Sequence, residues 1–196
     1  LVGNTAMHES GYTGAGIVVA VLDTGLNLEH EAFQDAANWV VPVVTEQTIA
    51  AADLWADGKY VSAKIPFAYD YADGDADVTD HDGHGTHVSG SAVGLAGELA
   101  EDGKSFNVTF AGAAPAAQLL SMKIFSDVGG GTTTDIYFYA LEDAYALGAD
   151  VINMSIGSQN GFTYDSSVET EVFGNIYERL TNNGVILSVA AGNEYS

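Results

Sequence analysis

Asp23 closes the apolar run Val-Val-Ala-Val-Leu-Asp-Thr-Gly, and His84 opens the small-residue run His-Gly-Thr-His-Val-Ser-Gly. A carboxylate and an imidazole are the two groups that turn a weak oxygen nucleophile into a strong one. The imidazole takes the hydroxyl proton, while a carboxylate on its other nitrogen fixes the tautomer and stabilises the imidazolium that forms. Asn193 ends a third run, Val-Ile-Leu-Ser-Val-Ala-Ala-Gly-Asn. An amide N–H at that place can meet the oxyanion that develops during acyl transfer. Taken singly, each motif has a plainer reading: an Asp-Thr-Gly turn, a structural histidine, a Gly-Asn turn after a strand.

Two other chemistries are tested by the same residues. Asp-Thr-Gly is also the signature of aspartic proteases, which need two such loops sharing a proton. Only one occurs here, in a pattern that is not all-β. His81, His84 and His87 are spaced by three, which invites zinc. On a helix the first and third would be turned apart by about 120°, and no His-Glu-x-x-His pattern is present. His87 reads as a structural histidine. The acidic run Asp70, Asp73, Asp75, Asp77, Asp80 and Asp82 begins like an EF-hand loop, but Val78 stands where the turn glycine belongs and His84 where the final glutamate belongs. That excludes an EF-hand and leaves two readings open, a calcium-stabilised loop of another kind and a solvated acidic loop.

The elements that must position these residues follow from periodicity. Apolar stretches at 17–22, 64–69, 118–125, 150–156 and 185–190 read as strands. Thr134–Leu147 reads as a helix, with Asp135 in its first turn and Gly148 as its stop. A second helix is expected over 167–183. Ser166-Ser167-Val168-Glu169 would be its capping box, Val168, Val172, Ile176 and Leu180 its apolar face, and Gly184 its stop. Alternating strands and helices with nearly continuous apolar strands predict an α/β fold, a parallel sheet with helices on both faces. Asp23 then falls at the carboxyl edge, where such sheets place their sites. The segment 31–60 has mixed signals and reads as an excursion.

The chain has 196 residues, enough for one sizeable core. With 27 Asp+Glu against 5 Lys+Arg, its formal charge is −22, which excludes a phosphate-tracking nucleic-acid surface. The absence of cysteine excludes disulfides and thiol catalysis. No stretch approaches the roughly 20 apolar residues of a membrane span. Leu1 is not an initiator methionine and no signal-like segment precedes the first strand, so the chain reads as mature or trimmed.

In combination, Val-Leu-Asp-Thr-Gly, His-Gly-Thr-His-Val, Val-Ile-Asn-Met-Ser-Ile-Gly-Ser and Ala-Ala-Gly-Asn-Glu, in that order, resemble the subtilisin-like serine proteases over nearly the whole chain. The phrases KIPFAYDYADGDADV, AGAAPAAQLLSMKIF and ALEDAYALGADVINMSIGS look like the cell-envelope proteinases and C5a-peptidase-like enzymes of Gram-positive bacteria. The resemblance implies that Asp23 and His84 are the charge-relay pair and Asn193 the oxyanion amide. It implies that Ser155, Ile156 and Gly157 line the primary specificity pocket. Gly129, Gly130 and Gly131 would pair with an extended substrate as an added strand.

No Gly-Thr-Ser-x-Ala motif occurs, and Ser89, Ser155 and Ser188 sit in motifs with other roles. The expectation is therefore the N-terminal portion, residues 1–196, of a subtilisin-like catalytic domain that stops before its serine. In such relatives a protease-associated domain can begin near this point. The complete protein is expected to be a secreted or wall-attached bacterial serine endopeptidase acting on proteins or peptides. Its chemistry would need no cofactor, with structural Ca²⁺ left open. The isolated chain is expected to be inactive and prone to self-association. The competing expectation is a non-catalytic peptide-binding relative.

Overall fold

The computed structural model describes residues 3–34, 39–99, 106–157 and 175–193. In chain order the elements are α1 (Asn4–Glu9), β1 (Val18–Asp23), α2 (Glu31–Gln34), α3 (Glu46–Ala51), β2 (Phe67–Asp70) and α4 (His84–Val93). These are followed by β3 (Leu95–Leu99), β4 (Phe106–Ala111), β5 (Gln118–Lys123), α5 (Thr134–Ala146), β6 (Val151–Met154), α6 (Ile176–Asn182) and β7 (Ile186–Val189). Five strands form a parallel sheet in the order β2-β5-β1-β6-β7, and β3 pairs with β4 as a separate antiparallel hairpin. The chain leaves β1 toward one side of the sheet and later returns to its other side, so β1 marks the switch point at which open α/β sheets hold their sites.

Strand alternation decides what faces what. On β1, Val18, Ala20 and Leu22 enter one core with α5 and α6, while Val19 and Val21 enter a second core that includes Val93 of α4. Asp23 continues the odd series, so the two-residue period delivers its carboxylate to the α4 face of the sheet. Lys123 of β5 and Asp70 of β2 are in register with one another, and Asp23 is in register with Lys123. Three charged side chains thus end three neighbouring strands in a row, each about 1% exposed.

All five predicted strands are present, and the sheet is parallel with helices on both faces. Strand ends shift by one to three residues: β5 ends at Lys123, although Ile124 is fully buried and still donates its N–H to Asp23 O at 2.9 Å. The helix expected over 134–147 runs from Thr134 to Ala146, and Gly148 terminates it at φ 76°. The continuous helix expected over 167–183 is corrected. Asn175 has non-helical backbone angles (φ −91°, ψ 75°), its side chain accepts from Glu178 N, and a new helix, α6, starts at Ile176. The expected capping box at 166–169 lies outside the described residues. Ile176 and Leu180 are buried as the periodicity required, and Gly184 follows at φ 83°. The hairpin β3–β4 and the short helix α1 were not anticipated.

Two buried charges serve the scaffold. Asp143 of α5 accepts from Trp55 N at 2.8 Å, Ala56 N at 3.1 Å and the Tyr71 hydroxyl at 2.7 Å, which ties the excursion after α3 to the sheet. Burial pushes its carboxyl pKa up against these three donors. Lys64 is wholly buried before β2 and donates to the carbonyls of Pro115 at 3.0 Å and Ala117 at 2.6 Å. Burial pulls its ammonium pKa down from 10.5 to about 7.

Because that folded value lies below the unfolded one, the unfolded chain binds the extra proton between the two, and stability conferred at this site rises with pH from about 7 to 10.5. Lys64→Met removes the dependence. Urea unfolding at pH 6 and pH 9 should therefore show the stability difference moving in favour of the native lysine at pH 9. A gap that is unchanged between the two pH values would contradict burial of Lys64 as its dominant influence.

Candidate active site

His84 is the first residue of α4, and the helix is aimed by its neighbours in sequence. Gly83 takes a left-handed conformation (φ 91°) that turns the chain into the helix. Gly85 follows, and a Cβ there would stand 2.3 Å from the carbonyl oxygen of Gly25 and 3.2 Å from Asp23 Cβ. Only hydrogen fits. Gly25 has φ 124°, and a Cβ there would meet the Val78 carbonyl at 2.5 Å. The Asp-Thr-Gly turn and the His-Gly-Thr helix start therefore interlock through their glycines.

That close approach brings His84 Nδ1 to 2.7 Å from Asp23 Oδ1. Asp23 is 1% exposed, and the same oxygen also accepts from Thr24 N at 2.7 Å. Its other oxygen, Oδ2, is buried without a hydrogen-bond partner among the described residues. The hydrogen bond to Asp23 raises the His84 pKa above its ordinary value. Partial burial opposes this, and the charges of Asp23, Asp82 and Asp80 add to the rise. With Nδ1 committed to the carboxylate, Nε2 is the ring atom left for proton transfer, and the His84 side chain is 46% exposed.

Thr24 and Asp80 brace this pair, and sequence reasoning missed both roles. Thr24 Oγ1 accepts from Gly85 N at 2.9 Å and donates to Asp80 Oδ1 at 2.8 Å. Asp80 Oδ1 also accepts from Gly83 N at 2.8 Å. Its Oδ2 accepts from Thr86 N at 2.8 Å and the Thr86 hydroxyl at 2.6 Å. One carboxylate thus satisfies N–H groups at the start of α4 and complements the positive end of its dipole. Burial pushes the Asp80 pKa up, but its bonds to Thr86, Gly83 and Thr24 win and hold it below the ordinary value. The available signal was the Thr that follows each motif's first chemistry-bearing residue or glycine.

Asn193 lies just past the carboxyl end of β7, on the same edge of the sheet as Asp23. Ala190 N donates to Met154 O at 3.1 Å, and a Cβ on Gly157 would lie 3.8 Å from Gly192 Cα. The Ser155–Gly157 segment and the Asn193 turn are therefore neighbours. Ile156 is buried, and Ser155 Oγ accepts from Asn153 Nδ2 at 2.9 Å. Gly129, Gly130 and Gly131 belong to a closed loop in which Ser126 N donates to Gly131 O at 3.2 Å and Gly130 N to Ser126 O at 3.0 Å. Between this loop and the Asp-Thr-Gly turn lies a cleft of about 250 Å³ lined by Thr24, His81, Asp82, Phe125, Ser126, Asp127 and Gly130.

His87 is separated from the Asp23–His84 pair and lines a different hollow with His30, Glu31 and Phe110. The acidic run is not one ligand set. Asp75 and Asp77 close local turns onto Asp77 N and Thr79, and Asp80 serves α4. Among the described residues, one group has carboxylates close enough for a metal: Asp70, Asp73 and Asp127. The Lys123 ammonium lies among them, 2.6 Å from Asp70 and 2.8 Å from Asp127.

The interlocked glycines make a direct prediction. Gly85→Ala should destabilise the protein by about 1–3 kcal/mol in urea unfolding, as overpacking does. Gly129→Ala meets nothing within 4 Å and should fall within about 0.5 kcal/mol of the native protein. Equal stability of the two variants would contradict the close approach of α4 to the Asp-Thr-Gly turn.

Known proteins resemble the chain over most of its length. The chain is 33% identical over 187 residues to the PI-type proteinase of Lactococcus lactis subsp. cremoris, an alignment covering 93% of this chain and 9% of that protein. It is 32% identical over 193 residues to the C5a peptidase of Streptococcus pyogenes serotype M6, covering 97% of this chain and 16% of that protein. The chain thus spans less than a fifth of the length of either relative. The solved structure of the prenylagaramide maturation protease PagA superposes with a TM-score of 0.57 at 21% identity, covering 98% of this chain and 52% of that one, which supports the fold. Residues 14–196 match the subtilase family, Peptidase S8. With its Asp23–His84 contact at the carboxyl edge of a parallel sheet, the chain belongs to the subtilase family of serine proteases.

Proposed function

We propose that this chain supplies the acid–base half of a serine endopeptidase. The observation that carries the reading is the 2.7 Å contact between His84 Nδ1 and Asp23 Oδ1. His84 Nε2 takes the hydroxyl proton of a serine as its oxygen attacks a peptide carbonyl, then returns that proton to the leaving amine. Asp23 keeps the ring in the Nδ1–H tautomer and stabilises the imidazolium between the two steps. The raised His84 pKa has the sign this role requires. Asn193 would donate to the tetrahedral oxyanion, a contribution of about 10²–10³ in turnover, a figure that comes from subtilisin itself.

The loop at Gly129–Gly131 and the segment Ser155–Gly157 would hold an extended peptide on either side of the scissile bond. No Gly-Thr-Ser-x-Ala motif lies within residues 1–196, so the proposal places the nucleophile in sequence beyond Ser196. The proteinase and C5a peptidase relatives support a protein or peptide substrate and a secreted or wall-attached setting. No helix among the described residues is long and apolar enough to cross a membrane.

Fluorophosphonate labelling tests the reading. The full-length protein should label at one serine and hydrolyse casein, and His84→Ala should abolish both. The 196-residue chain alone should do neither. Binding of casein without labelling or hydrolysis by the full-length protein would identify it instead as a peptide-binding relative. Labelling of the isolated chain at one serine would overturn the placement of the nucleophile.

A further inference from the structure

Lys123 carries an arrangement that the catalytic pair does not use. It is the last residue of β5 and lies in register between Asp70 of β2 and Asp23 of β1. Asp23 is engaged with His84, and the Lys123 ammonium turns the other way. It meets Asp70 Oδ2 at 2.6 Å, Asp127 Oδ2 at 2.8 Å and Asp73 Oδ2 at 4.0 Å. The carboxylate oxygens of these three residues all lie within 4.8 Å of one another, a spacing that suits a hard cation. Lys123 and Asp70 are each 1% exposed, while Asp73 and Asp127 sit nearer solvent.

The same cluster anchors one wall of the cleft. Asp73 Oδ1 accepts from the Ser126 hydroxyl at 2.7 Å, and its Oδ2 accepts from Asp127 N at 3.0 Å. Ser126 and Gly131 close the loop through their backbones at 3.2 Å. On the opposite side, the Lys123 stem packs where a Cβ on Gly25 would come within 3.2 Å of its Cδ, against the Asp-Thr-Gly turn. One side chain therefore touches the turn that carries Asp23 and clamps the loop that carries Gly129–Gly131. A buried Lys–Asp pair is a poor device for stability, because desolvation of both charges offsets most of their attraction. Burial lowers the Lys123 pKa, but the bonds it donates to Asp127 and Asp70 outweigh this and favour the charged ammonium.

We propose that Lys123 is the built-in cation of an Asp70–Asp73–Asp127 cage and a positioning residue that sets the distance between the catalytic edge and the substrate loop 126–131. This rests on the endopeptidase reading above. The loop lies beside the cleft rather than at the reacting atoms, so its displacement weakens the grip on long peptides more than it slows the chemistry. The substrates affected are extended chains that reach several residues beyond the scissile bond, and short esters are affected less.

The test uses the full-length protein with Lys123→Met and Asp127→Asn. In both variants kcat/KM for a peptide with four or more residues on the acyl side should fall about tenfold more than for a single-residue ester, the loss appearing mainly in KM. Lys123→Met should also gain tyrosine-sensitised Tb³⁺ luminescence that the native protein lacks, and millimolar Ca²⁺ should restore its KM for the long peptide. Equal losses on long and short substrates, or none, would overturn the positioning role. A Lys123→Met protein that folds but gains no Tb³⁺ signal would overturn the cage. If Lys123→Met does not fold, Asp127→Asn decides, since it removes the ion pair between Lys123 and the loop and leaves the buried Lys123–Asp70 pair intact. A native protein that fluorophosphonate does not label defeats the endopeptidase reading itself, and the Tb³⁺ comparison then decides the cage alone.

Discussion

The contact between Asp23 and His84 exists only because two backbones approach more closely than side chains permit. Gly85 of α4 stands against Gly25 of the turn after β1, with no room for a Cβ on either. Once that approach is made, a buried carboxylate and an exposed imidazole are held at 2.7 Å, and the hydrogen bonds of Thr24 and Asp80 follow from it. A methyl group at position 85 would displace the helix start and take the His84 ring with it. The Asp23–His84 geometry is thus a packing result before it is an electrostatic one.

Electrostatics then divides the carboxyl edge into two circuits. Asp23 couples to His84, which must gain and lose a proton in the proposed chemistry. Asp70 couples to Lys123, which must not lose its own. The two circuits are adjacent in register, yet each carboxylate meets a different nitrogen partner. The remaining acidic residues of the run from Asp70 to Asp82 mostly accept backbone N–H groups, which orders a polar loop without a regular ladder. A formal charge of −22 makes this ordering more demanding, since only 5 Lys and Arg are available to offset 27 carboxylates. Two of the five, Lys64 and Lys123, stand fully inside, and only Lys123 meets carboxylates there.

Much of this was legible in the residues. The five parallel strands announce themselves as apolar runs, each followed within two residues by Asp or Gly. The period of two sends Asp23 to the α4 face, and Gly148 and Gly184 stop their helices where expected. His84 at a helix start followed the small residues behind it. The continuous stripe over 167–183 hides a break at Asn175, whose side chain caps a helix that starts at Ile176. The roles of Asp80 and Lys123 had no periodicity to reveal them. Asp80 sits in a run of aspartates that reads either as a calcium-stabilised loop or as a solvated acidic one, and Lys123 ends a strand where a lysine ordinarily reaches water. Only the fold brings Asp70, Asp73 and Asp127, up to 57 positions apart in number, around that lysine.

The ring state of His84 tests the central claim most directly. In the full-length protein, ¹⁵N NMR of the neutral ring should find the proton on Nδ1 and a bare Nε2. A strongly downfield Nδ1 proton should accompany it and be lost in Asp23→Asn, where the amide can donate to the ring instead. A native protein whose neutral His84 carries its proton on Nε2, or whose ring signals are indifferent to Asp23→Asn, would contradict the assignment of Asp23 as the group that orients the catalytic base.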